Sequence, residues 1–185
     1  NQRLFIKAVQ AVQEIFKRPG LTENAKIMQF ATSILHQFHG TSFEEMDLDD
    51  PHQSQYQGFE DLQVDDSHPY AYLMHYFNAQ KYQNIDLEKS EQYYEMSWKA
   101  WESKANHEDA TFHPQFLYSK GVLFKRRKDY NAALKLAEES LGLYHKLYGS
   151  DSCHQEIAYC YSLIASCHVG MGKRLDAIRY NKLAV

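Results

Sequence analysis

The stretch Phe116–Leu141, FLYSKGVLFKRRKDYNAALKLAEESL, recurs in pattern 44 residues further along the chain. Gly121 falls on Ala165, Lys128 on Gly172, Ala133 on Ala177 and Leu134 on Ile178. Each copy carries apolar residues at helical spacing on both sides of a tight turn, which the first copy places at Arg127–Asp129. A period of this size marks stacked supersecondary units and outranks other fold signals. Small residues recur where two helices of a unit must approach: Ala79, Gly121 and Ala165 on first helices, Ser90, Ala133 and Ala177 on second ones. Only a small side chain allows so close a crossing, so Gly121 reads as a packing device and not as part of a phosphate cradle. With 14 Tyr and 10 Phe the chain is rich in rings that can interlock helices, while 8 Gly and 4 Pro are too few for a many-turned all-β fold.

Ahead of the repeats, Leu4, Phe5, Ala8, Val9, Val12, Ile15 and Phe16 predict an amphipathic helix over 3–17, stopped by Arg18-Pro19-Gly20. Thr22 offers an N-cap to a second helix that runs to Phe38 and ends near Gly40. Residues 1–40 thus read as an N-terminal helical hairpin. Residues 41–67 read as an acidic, partly irregular connector: no Lys or Arg occurs between Ile27 and Gln80, and Pro51 and Gly58 interrupt the periodicity. Alternating acids from Asp47 superficially suggest a calcium loop, but its twelfth position is Gly58, where a bidentate Glu is required. Residues 68–185 hold the helix pairs, at about 68–105, 113–147 and 155–185, the first two opened by His68-Pro69 and His113-Pro114. The chain opens at Asn1 and closes at Val185 without polar capping helices, so both ends read as cut from a longer protein, and uncapped repeat ends leave room for self-association.

The residues Leu117, Gly121, Phe124, Asp129-Tyr130, Ala133-Leu134 and Leu141 resemble the tetratricopeptide repeat family. The pattern returns at Tyr161, Ile164-Ala165, Gly172, Ala177-Ile178 and Ala184. The pair at 70–101 departs from it by an extra residue in its turn and by Ser90 in place of Ala. The usual repeat of that family is about 34 residues; the longer period here, with Leu147-Tyr148-Gly149-Ser150-Asp151 as linker, is similar to the kinesin-light-chain-like variety. The resemblance implies an all-α, right-handed solenoid of antiparallel helix pairs whose first helices line a concave groove. Arg3-Leu4-Phe5-Ile6-Lys7-Ala8-Val9-Gln10 is faintly similar to the helix that joins the nucleotide-binding module of signal-transduction ATPases to their repeat sensors.

Chemistry is sparse. The ten histidines are scattered, and no H-E-x-x-H, nucleophile elbow, Walker loop or dinucleotide fingerprint occurs, so no catalytic residue and no cofactor is expected. Cys153, Cys160 and Cys167, spaced by seven, lack the close Cys pairs of a zinc site and read as small helix-packing residues. Their odd number suits free thiols in a reducing, cytoplasmic compartment. A net charge of −4 argues against a nucleic-acid binder, and no apolar run is long enough to span a membrane. Lys125-Arg126-Arg127-Lys128 is the one strong basic cluster; it suits the negative end of a helix and complements the acidic 44–66 segment, which could fold over it as an intramolecular lid.

Projecting the family's groove onto this chain selects Tyr76, Gln80 and Gln83 from the first pair, Tyr118, Val122, Lys125 and Arg126 from the second, and Tyr159, Ser162 and Ser166 from the third. Tyr118 and Val122 stand where chaperone-binding members carry a Lys and Asn clamp for a terminal carboxylate, which disfavours that specialised role. The expected function is non-catalytic binding of a protein or peptide segment with acidic and aromatic side chains. The alternatives are the regulatory sensor of a larger signal-transduction ATPase and a bacterial effector scaffold acting on host proteins.

Overall fold

The computed structural model describes residues 71–103, 110–150 and 152–184. These residues are all-α, with six helices and, among the described residues, no strand. The helices are α1 (Ala71–Tyr82), α2 (Leu87–Glu102), α3 (Phe112–Arg126), α4 (Tyr130–Tyr148), α5 (Gln155–Gly170) and α6 (Arg174–Leu183). The N-terminal hairpin at 1–40, the connector at 41–67 with its acidic lid, and His68-Pro69 lie outside the described residues. No helix among the described residues is long and apolar enough to cross a membrane.

Local chemistry sets the helix boundaries. Asp86 caps α2, its carboxylate accepting from the backbone N–H groups of Glu88 and Lys89 at 3.1 and 3.0 Å. Asp129 caps α4 in the same way through Ala132 N–H at 3.1 Å. The ends of α3 and α5 share one stop. Asp129 N–H reaches back to Phe124 C=O and Lys128 N–H to Lys125 C=O; Lys173 and Gly172 do the same to His168 and Val169. This closure needs a left-handed residue at its apex, and the apices are Lys128 (φ 62°) and Gly172 (φ 76°). The turn between α1 and α2, residues 83–86, is one residue longer than the other two and contains no positive φ. The extra residue read from the sequence is thus real.

Buried serines join α1 to α2 and α3 to α4. Ser90 Oγ donates to Ala79 C=O and Ser97 Oγ to Tyr72 C=O, both at 2.7 Å. The order of the partners reverses along the chain, so α1 and α2 run in opposite directions. Ser140 Oγ repeats the bond to Pro114 C=O, also at 2.7 Å, between α4 and α3. A buried hydroxyl needs such a partner, and a helix carbonyl has a spare lone pair to accept it. The small residues singled out above, from Ala79 to Ala177, are all buried. At Gly121 an added Cβ would lie 3.4 Å from the Ala133 carbonyl and 3.2 Å from Leu163 Cδ2, which is why glycine stands there.

Two kinds of core hold successive pairs. Between α1, α2 and α3 the core is aromatic: Tyr72 meets Phe112 edge-on at 4.6 Å, and Tyr94 and Trp98 bracket Phe116 at 5.7 and 5.0 Å. Edge-to-face contact suits the ring quadrupole, and truncating a buried ring such as Phe112 to Ala costs about 3–5 kcal/mol. Between α4 and α5 the core is aliphatic and smaller, with Ala133 and Ala137 against Leu163, Ile164 and Cys167. Small side chains there let α4 and α5 pack along their length. The bulky rings at the other junction leave α2 touching α3 only locally.

Candidate functional site

The sequence-selected positions lie on α1, in the turn after it (Gln83), and on α3 and α5, and the structure sorts them into two groups. The first is a seam centred on Ser119 of α3. Tyr76 is buried, and its hydroxyl lies 2.7 Å from Ser119 Oγ. Burial pushes its phenol far above the ordinary range, despite the hydrogen bond to Ser119. Tyr76 therefore does not face an open groove: at mid-helix it is the residue of α1 that must fill the space against α2 and α3. Gln80 Nε2 donates to Ser119 Oγ at 3.2 Å, and Gln83 Nε2 donates to the Ser119 carbonyl at 3.1 Å. Both glutamines are half-buried and tie α1 to α3.

The second group is a surface shared by α3 and α5. Tyr118 and Tyr159 bring their rings within 6.3 Å at a tilt of 31°. Val122 and Tyr118 pack, half-buried, over the aliphatic core, and the missing side chain at Gly121 admits Leu163 of α5. Lys125 and Arg126 occupy the last turn of α3, where their charge meets the negative end of the helix dipole. Lys125 lies close enough to α5 for its charge to act on Cys167, whose thiol is nevertheless raised because burial dominates. Ser162 is exposed and Ser166 half-buried along α5. Tyr118, Val122, Lys125, Tyr159, Ser162 and Ser166 thus stand on two adjoining helices, aromatic toward one end and cationic at Lys125, while the half-buried Arg126 has a buried Nε and its charge acts on the buried Tyr94 of α2.

Two residues that shape this region escaped the sequence. Ser119 organises the α1–α3 seam, and nothing in its neighbours distinguishes it from a solvated serine. Arg127, grouped above with the basic rim, instead turns back to α2: its guanidinium pairs with Glu91 and donates to Leu87 C=O at 2.9 Å. Its partners lie some forty residues away, so only tertiary structure could reveal them. Lys128 stays exposed beyond the helix end.

Two of the three thiols behave as packing groups. Cys160 and Cys167 are buried, while Cys153 is exposed ahead of α5, which corrects its assignment as a packing residue. Burial raises the Cys160 thiol to about 11, against a weaker opposing contact with Ser140 Oγ at 3.4 Å. A thiol held protonated is a poor nucleophile and a poor metal ligand. No group of three or more His, Cys, Asp or Glu able to hold a metal occurs among the described residues. What the arrangement offers chemically is contact: ring faces and a short apolar strip on α3 and α5, with the cations Lys125 and Arg126 in the last turn of α3. No protein-family model matches the chain, and no curated protein matches it.

Proposed function

We propose that this chain is a helical-repeat scaffold of the tetratricopeptide kind, a right-handed solenoid that binds a protein or peptide segment along its first helices without doing chemistry on it. The carrying observation is the juxtaposition on α3 and α5 of the Tyr118–Tyr159 pair with Lys125 and Arg126. Tyr and Arg are frequent binding anchors because each combines apolar area with a polar end. Support for the repeat itself comes from the serine-to-carbonyl bond, made by Ser97 and again by Ser140, and from the matching helix stops at Lys128 and Gly172. The segment that suits this surface brings aromatic rings for the tyrosines and carboxylates for the cations. Free thiols on all three cysteines fit a reducing, cytoplasmic setting.

The test is selection from a display library of random peptides, using the whole chain as bait and the double substitution Tyr118→Ala with Lys125→Glu as comparison. Enriched peptides should carry acidic and aromatic residues and lose binding to the double variant. Equal capture by both forms rejects the surface.

A further inference from the structure

The α1–α3 seam gathers more hydrogen-bond donors than acceptors. Tyr94, which enters it from α2, is 0% exposed; its ring lies edge-on to Tyr76 at 6.0 Å and to Phe116 at 5.7 Å. Those contacts explain an aromatic ring at this position, and Phe would make them equally well. They do not explain the hydroxyl, which is buried and makes no hydrogen bond among the described residues. A buried hydroxyl without a partner is costly, so one that is kept calls for an acceptor. Arg126 repeats the pattern from α3: its Nε is buried and makes no hydrogen bond, and no carboxylate among the described residues pairs with its guanidinium.

The neighbouring acceptors are already in use. Ser119 Oγ is engaged by the Tyr76 hydroxyl at 2.7 Å and by Gln80 Nε2 at 3.2 Å, and the Ser119 carbonyl accepts from Gln83 Nε2 at 3.1 Å. Burial first, and then Tyr76, push the Tyr94 phenol well above its ordinary range, against opposing effects of Ser119, Gln80 and the Arg126 charge. The hydroxyl therefore keeps its proton and acts as a donor. A primary amide carries two N–H groups, and Gln80 spends one of them on Ser119. What the seam lacks is an acceptor with negative charge.

We propose that this seam binds a carboxylate, one oxygen accepting from the Arg126 guanidinium and the Tyr94 hydroxyl and the other from the second N–H of Gln80. Charge-assisted bonds from a guanidinium to a carboxylate are among the strong ones, and the two neutral donors fix its orientation. One guanidinium supplies one positive charge, which suits a monoanion; a phosphate dianion would remain half-compensated. Gln80, Gln83 and Arg126 are half-buried, so they connect the seam to the surface, and entry requires these side chains to swing while the helices stay packed. The carboxylate comes from an Asp or Glu side chain of a bound polypeptide or from a free small acid, which present the same group. The site is independent of what the Tyr118–Tyr159 pair binds.

Side-chain nitrogen NMR of the 185-residue chain tests this, with acetate as the probe, exchanged for chloride at constant ionic strength. The Arg126 Nε–H signal, identified by its loss in Arg126→Lys, should shift saturably with acetate and much less with inorganic phosphate. Tyr94→Phe keeps the ring and removes only the hydroxyl. It should weaken acetate binding at least about tenfold, the worth of a hydrogen bond to a charged group. It should also leave Tm unchanged or raised, because in the free chain the hydroxyl makes no hydrogen bond among the described residues. N-acetylaspartate amide presents the group as a side chain: tighter binding than acetate assigns the site to a polypeptide, and equal or weaker binding assigns it to a free acid. Absence of a saturable Arg126 shift overturns the proposal, as does an equal shift with phosphate. So does a Tyr94→Phe chain that binds acetate like the parent, or one whose Tm falls by several degrees, since the hydroxyl would then serve packing alone.

Discussion

Lys128 and Gly172 hold the same place at the ends of α3 and α5, yet only one of them is a glycine. Both apices close the same pair of backbone hydrogen bonds, at 2.9–3.0 Å, and both have positive φ. An L side chain in that region costs about 1–2 kcal/mol because Cβ crowds the following carbonyl. Lys128→Gly removes the cost, but it also loosens the unfolded chain, an opposing effect of about 0.4–1 kcal/mol. Lys128 is exposed, so few native contacts are lost. The net expectation is a gain of about 0.5–1 kcal/mol, and in a chain of this length that raises Tm by about 1–4 °C. Gly172→Ala runs the other way. Nothing lies within 4 Å of an added Cβ, so the loss is torsional and of similar size, without a steric part. Calorimetric or circular-dichroism melts of the two variants and the parent measure this directly. If Lys128→Gly lowers Tm, or Gly172→Ala raises it, the shared helix stop is not what fixes these turns.

Gly121→Val should destabilise by about 1–3 kcal/mol in urea unfolding, since its branches would press on Leu163 and the Ala133 carbonyl; Tyr130, half-exposed at the start of α4, should tolerate Phe with little change. Arg127→Ala should cost no more than about 1 kcal/mol through the half-exposed Glu91 pair, and high salt should shrink the difference. The Cys160 thiol is raised from 9.0 to about 11, so the folded state keeps a proton that the unfolded chain releases. This contribution is therefore fully present below pH 9 and is lost as pH rises from 9 through 11; Cys160→Ser should flatten that part of the stability–pH profile. With a thiol-reactive disulfide reagent at neutral pH, exposed Cys153 should react first, and buried Cys160 and Cys167 only as the chain unfolds.

The helices were legible because their signals are local. Helical spacing of apolar residues and small residues at crossings act over a few positions of sequence, and the six helices and their buried small residues fall where those signals stand. Burial is not local in that sense. Tyr76, chosen for the surface because of its place on a first helix, is covered by α2 and α3, and only the depth of the aromatic core between those helices decides that. Gln80 and Gln83 share its fate in part because Ser119 happens to meet them across the seam.

The sequence by itself determined that this chain builds pairs of amphipathic helices with close crossings at Ala79, Gly121 and Ala165, because residue size and periodicity are properties of the chain alone. Tertiary structure decided what each polar group meets. Of four consecutive basic residues, Lys125 and Arg126 stand half-buried in the last turn of α3, Arg127 crosses to α2 and Lys128 bends the chain. Successive residues at a helix end point in different directions, and each side chain's use depends on which neighbouring helix comes within its reach.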